Sequence, residues 1–349
     1  MQKRITSILL TVCLCAGLSA CGTTAASLNN AGRTDQASVS GNPDAAMNIP
    51  ADAPTFNIGF SDKTDANGDP VFLQPDAFHA EHGTVGMNMV TEYTMPGASA
   101  SDVMPAYVMV GINGDLYDFT LNGKKSSNGL VQIDIPNKTM FSVPLEISGL
   151  NLEQGNSNQF VLILVPLSED EAFHNMGPFL YNAVLNADQS TAGQTTVSIP
   201  DQTKVKNLKI ETTEGKTEEE ILLPNDGITR MFAEEDLAEE PSSDSMQLSV
   251  KAGAQLFLQI PNINNGKGPS RRKGICMALD GGQLLNAWAG SPLLKMDLTE
   301  NDLFVTAPLE TEYKAGDTAD LWMFYIDLFN SDPEADPFTI ASGNLLRFQ

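Results

Sequence analysis

Val108-Met-Val-Gly-Ile-Asn-Gly-Asp-Leu116 and Cys276-Met-Ala-Leu-Asp-Gly-Gly-Gln-Leu284 are the two stretches whose reading decides the fold. In each, an apolar run meets an Asn-Gly or Asp-Gly-Gly turn and then resumes. Those turn residues supply the positive φ angles that a tight β-hairpin needs. Working outward, Phe141-Ser-Val-Pro-Leu145 corresponds to Phe304-Val-Thr-Ala-Pro-Leu309, and Phe160-Val-Leu-Ile-Leu-Val165 to Trp322-Met-Phe-Tyr-Ile-Asp327. Each of the long runs leads into an acidic segment ending at Pro178-Phe179 or Pro337-Phe338. The separation between matched points shrinks steadily along the chain, as a duplicated domain with shortened loops would give; unrelated strands would scatter.

Strand type follows from periodicity. The runs 160–165 and 321–329 are apolar on both faces, as central strands are, whereas Met87–Tyr93 and Val131–Ile135 alternate, as half-solvated strands do. Short strands separated by Gly, Pro, Asn and Asp clusters resemble the immunoglobulin and fibronectin type III modules in architecture, without the paired cysteines of antibody domains. The resemblance implies an all-β chain with two tandem Ig-like antiparallel β-sandwich domains, expected over 55–190 and 205–349. A Gln/Thr/Ser-rich stretch at 189–206 holds the boundary.

The N-terminus reads as an address. Lys3 and Arg4 precede an apolar stretch from Ile5 to Gly17, too short to span a bilayer, where about 20 residues are needed. Leu18-Ser-Ala-Cys21 resembles the bacterial lipobox. That resemblance implies removal of a signal peptide, 1–20, and a lipid on Cys21, with the protein held to the cell membrane or outer membrane on its extracytoplasmic side. Each buried methylene contributes about 0.8 kcal/mol, so two or more acyl chains hold stably. Residues 22–54 are mostly small and polar and read as a flexible tether, roughly 30 Å end to end by random-coil scaling.

Charge narrows the partners. The formal net charge is −24, and it becomes more negative once Lys3 and Arg4 are removed with the leader. Such a chain does not bind nucleic acid through its phosphates. The expected partners are the membrane, through Cys21, and another envelope protein or a glycan. Cys13 and Cys15 lie in the leader and Cys21 is the lipid site, so Cys276 alone remains and reads as a small core residue.

Candidate chemistry is sparse, and every candidate has a structural alternative. Asp76-Ala-Phe-His79-Ala-Glu-His82-Gly83 is similar to Asp170-Glu-Ala-Phe-His174-Asn-Met-Gly177. On one helical turn His79 and His82 would share a face and could grip Zn2+ beside Glu81 or Asp76, with His174 completing the site. Two capped turns with solvated histidines is the alternative. Asp65, Asn67, Asp69 and Asp76 have the oxygen spacing of a calcium loop and resemble the EF-hand or dockerin pattern. Pro70 stands where that loop needs glycine, and a hairpin on Asn67-Gly68 explains the same residues. Tyr117 and Trp288, just past the matched hairpins, could stack on a sugar, or pack in the core or its rim. Residues 211–244 hold twelve acids against Lys216 and Arg230 and read as a solvated insert. The basic cluster 266–273 reads as a connecting loop or an anion contact, and its spacing does not fit a P-loop. HExxH and GxSxG patterns are missing. The expectation is therefore a non-catalytic binding or adhesion module without a cofactor, and the alternative is a metal-dependent protein or enzyme using Ca2+ or Zn2+ at these loops.

Overall fold

The two quoted stretches form the hairpins their turn residues dictate. Val103–Ile112 (β5) returns as Asp115–Leu116 (β6) around Asn113-Gly114, with φ of 51° and 86°. Arg272–Asp280 (β16) returns as Gln283–Leu284 (β17) around Gly281-Gly282, with φ of 53° and 73°. Two consecutive positive φ values match the right-handed strand twist, and Asn and Gly reach them at low cost. The molecule is a computed structural model that describes residues 55–94, 102–137, 139–167, 178–193, 196–217, 247–262, 268–331 and 339–349.

The chain divides into two compact units. One holds the described residues up to Val110 and those between Tyr117 and Thr195; the other holds Gly111–Leu116 and those from Thr196 onward. The first unit also contains β1 (Thr55–Thr64), β2 (Pro70–Phe72), β3 (Phe78–Ala80), β4 (Thr84–Thr94), β7 (Thr120–Leu121) and β8 (Lys124–Lys125). It continues with β9 (Val131–Pro136), β10 (Thr139–Ser148), β11 (Gly155–Pro166) and β12 (Phe179–Ala187). One sheet has the order β2-β1-β4-β10-β7-β8, and the other β3-β12-β11-β5-β6, with β9 also on β5. Lettering β1, β4, β5, β7, β10, β11 and β12 as A to G gives A-B-E-D facing G-F-C, the Ig-like strand order.

Aromatic rings hold the two sheets of this unit together. Phe60 of β1, fully buried, has Phe78 of β3, Phe160 of β11 and Tyr181 of β12 at centroid distances of 5.2, 5.7 and 4.9 Å. All three contacts are edge-on, which brings positive ring edges to negative faces. The buried run Phe160–Val165 is covered on both faces, as its unbroken hydrophobicity requires.

The second unit contains β13 (Lys209–Thr212), β14 (Gln247–Val250), β15 (Phe257–Pro261), β18 (Leu293–Leu298), β19 (Asp302–Pro308), β20 (Thr318–Asn330) and β21 (Thr339–Phe348). Its larger sheet runs β14-β21-β20-β16-β17, with β18 also on β16. Strand for strand this repeats the first unit's β3-β12-β11-β5-β6 with β9 on β5. The likeness extends to direction, since β3–β12 and β14–β21 are both parallel pairs. The smaller sheet is β13-β19-β15. Leu258, Ile260, Val305 and Ala307 from this sheet share one core with Cys276, Ala278, Met323 and Tyr325 from the larger one.

Candidate functional site

His79 and His82 lie at the edge of a sheet. Phe78, His79 and Ala80 alternate buried, exposed, buried, so the aromatic ring enters the core and the imidazole faces out. Asn186 of β12 fixes β3 by donating its side-chain N–H groups to the carbonyls of Asp76 (2.8 Å) and Phe78 (3.1 Å). His79 Nε2 then lies 3.2 Å from Asp188 Oδ1, with both side chains about half exposed. His82 sits at φ 51° in a turn closed by reciprocal Glu81 and Thr84 backbone hydrogen bonds of 2.9 Å each. Its Nδ1 lies 3.0 Å from Gln189 Nε2. An amide NH2 group only donates, so the imidazole nitrogen is the accepting partner in this contact.

The helical turn expected for His79 to His82 is therefore replaced by a strand and a tight turn. The parallel β3–β12 pairing carries both rings to the consecutive residues Asp188 and Gln189, which spacing within 76–83 could not disclose. His174 lies outside the described residues. Among the described residues no group of three or more His, Cys, Asp or Glu is arranged to hold a metal ion. What the corner provides is a half-exposed array of imidazole, carboxylate and amide suited to polar contacts.

Asp65 closes the hairpin between β1 and β2. Its Oδ1 accepts from the backbone N–H of Asn67 (2.8 Å) and of Asp69 (3.0 Å), and its carbonyl accepts from Gly68 N–H (3.1 Å). Hydrogen bonds from the Asp69 and Asn67 amides hold its carboxyl below the usual aspartate range. The carboxylate oxygens are thus turned inward on their own loop. Asp76 is tied to the β12 edge through its carbonyl, and Asn67 donates a side-chain N–H to Asp65 Oδ2 at 3.4 Å.

Of the two readings for Tyr117 and Trp288, stacking on a sugar or packing inside, both residues take the second. Tyr117 is 2% exposed, and its hydroxyl accepts the Asn151 backbone N–H at 3.3 Å. Trp288 is fully buried in the second unit's core, beside Ala287 and Leu294. Each follows its hairpin closely enough that the returning chain turns the ring inward. Trp322, which the sequence placed in the core, is only partly buried. It lies on the outer face of β20, over Gly343 of β21, and its indole N–H donates to Asp320 Oδ1 at 3.1 Å. Cys276 is fully buried, and burial pushes its thiol well above the ordinary range.

The basic cluster 266–273 divides at the start of β16. Arg271 is exposed, whereas Arg272 is 2% exposed and bonds through Nη1 to Asp327 Oδ2 at 2.8 Å, also 2% exposed. Tyr325 donates its hydroxyl to Asp327 Oδ1 (2.8 Å), and Arg272 Nε donates to Ser270 Oγ (3.3 Å). Ser270 Oγ in turn donates to Asn330 Oδ1 at 3.0 Å. Burial, and then Asp327, raise the Tyr325 phenol well above its normal range. This network was missed in the sequence, although a charged Asp327 inside an apolar run was its signal. It removes Arg272 from any anion-contacting loop and leaves its guanidinium neutralising a buried carboxylate.

No family model matches the chain, and no curated protein matches it. Solved structures show a distant likeness, two of them being the following complexes. The Salmonella enterica SafA pilin in complex with the SafB chaperone is 11% identical, with a TM-score of 0.21, covering 82% of this chain and 96% of that one. The CsuC-CsuE chaperone-tip adhesion subunit pre-assembly complex from the archaic chaperone-usher Csu pili of Acinetobacter baumannii is 10% identical, with a TM-score of 0.17, covering 78% and 94%. The sandwich assignment rests on the strand order of the two sheets.

Proposed function

We propose that this is a lipoprotein anchored through Cys21 on the extracytoplasmic side of a membrane, whose β-sandwich units serve as a non-catalytic binding or adhesion module for an envelope protein or glycan. The observation that carries this reading is the Ig-like order A-B-E-D against G-F-C, a framework that presents loops at its ends for contact. The described side chains with the strongest chemical potential serve the fold: Arg272 and Asp327 neutralise each other, Asp65 closes a hairpin, and Tyr117 and Trp288 fill interiors. Leu18-Ser-Ala-Cys21 and the polar residues behind it support the tethered placement.

Full-length protein and its Cys21→Ser variant, produced with a radiolabelled fatty acid, test the anchor. Label and membrane partitioning are expected for the first and lost from the second; a Cys21→Ser chain that still partitions with membrane would defeat it. Photo-crosslinking from the exposed His79 position in intact cells tests the binding role. One reproducible protein or glycan adduct is expected, and none from any exposed loop would count against the module.

A metal-dependent reading has one observation in its favour, the meeting of His79 and His82 with Asp188 and Gln189. Metal analysis of the purified chain separates the two. One zinc or calcium per chain, lost on His79→Ala, would replace the simple binding reading.

A further inference from the structure

Four Asn-Gly pairs lie among the described residues, at Asn67-Gly68, Asn113-Gly114, Asn122-Gly123 and Asn128-Gly129. An asparagine before glycine is chemically fragile, because glycine has no side chain to hinder its own backbone nitrogen. That nitrogen, once it loses its proton to hydroxide, attacks the asparagine Cγ. Ammonia leaves and a five-membered succinimide closes. Water then opens the ring at either carbonyl, leaving aspartate or isoaspartate. The reaction requires a glycine N–H that solvent can reach and that nothing holds, together with a side chain free to swing over it.

The fold treats the four pairs differently. Gly68 donates its N–H to the Asp65 carbonyl at 3.1 Å, and Asn67 is further held by both Asp65 carboxylate oxygens. Gly129 donates to Asp118 Oδ1 at 3.2 Å, and a carboxylate acceptor resists loss of that proton. Gly114 is buried. Asn122-Gly123 alone combines exposure of both residues with a glycine N–H that forms no hydrogen bond, and open space surrounds the glycine Cα. The one bond at this site, Asn122 N–H to the Pro144 carbonyl at 2.8 Å, leaves the reacting atoms free.

We infer that Asn122-Gly123, the turn between β7 and β8, is a site of spontaneous deamidation and isoaspartate formation in the folded protein, ahead of the other three pairs. The change has two structural effects. It sets a carboxylate beside the exposed Lys124 and Lys125 of the outermost strand of that sheet. In the isoaspartyl form an extra backbone methylene enters a two-residue turn that joins Leu121 to Lys124, and the β7–β8 pairing is lost with it.

Incubating the full chain in mildly alkaline buffer and mapping its peptides by mass spectrometry, with an isoaspartyl methyltransferase assay, tests this. Asn122 should convert several-fold faster than Asn67, Asn113 or Asn128 while the protein is folded, and the four rates should converge in denaturant. Asn122→Gln should remove the leading product and leave the others unchanged. Asn67, Asn113 or Asn128 converting ahead of Asn122 in the folded chain, or equal rates with and without denaturant, would overturn the assignment.

Discussion

At the residue scale, burial changes what ordinary side chains do. Tyr181 is 4% exposed against the aromatic cluster, and burial pushes its phenol up to about 12. A folded-state value above the unfolded one near 10 means that the stability it contributes is complete below pH 10. That contribution is lost as pH rises through 12. An ultraviolet titration of the native chain, differenced against Tyr181→Phe, should show this phenolate near pH 12; a band near 10 would show the ring to be solvated. The buried ion pair makes a second prediction. Asp327→Ala strands the Arg272 charge and should cost about 3–5 kcal/mol in denaturant melts. Arg272→Met combined with Asp327→Leu should recover most of that loss, since apolar pairs of similar volume often replace buried ions without penalty.

At the scale of the element, strand identity follows from alternation, but close approach between strands does not. Gly343 of β21 lies under Trp322 of β20, and a Cβ there would come within 2.3 Å of the indole ring. Gly343→Ala should therefore destabilise by about 1–3 kcal/mol, as overpacking does. Gly86 of β4 has open space at the same position and an ordinary φ. Gly86→Ala should be neutral or gain about 0.4–1 kcal/mol through the unfolded chain. Equal losses for the two variants, measured by thermal melts, would contradict the packing account. The hairpins β5–β6 and β16–β17 were legible because Asn-Gly and Gly-Gly announce positive φ. The β3–β12 pairing was not, because its partners are about a hundred residues apart and parallel pairing carries no turn signal.

At the scale of the molecule, the acids determine the response to pH. Asp65 is held low by backbone amides, and Asp201 by the hydroxyl and backbone N–H of Thr203. Their folded values lie below the unfolded 3.8, so their contribution is present above that pH and lost as pH falls through the folded values. Stability followed by denaturant melts should hold between pH 5 and 7 and decline below about 4. The core sets a second expectation. Phe60 joins three rings across two sheets, and Phe60→Ala should cost about 3–5 kcal/mol, more than a typical surface change by several-fold. A loss below 1 kcal/mol would show that the cluster does not hold the sheets together.

The all-β class, the paired hairpins and the doubly buried central strands were determined by sequence, because side-chain period and turn chemistry are local properties of the chain. Tertiary structure alone decided the sites. It turned Tyr117 and Trp288 inward, drew Arg272 onto Asp327, set His79 and His82 against Asp188 and Gln189, and left one of the four Asn-Gly turns among the described residues unrestrained. Each of those outcomes depends on which distant strand becomes a neighbour, and hydrophobic pattern specifies that a face is buried without naming the residue it is buried against.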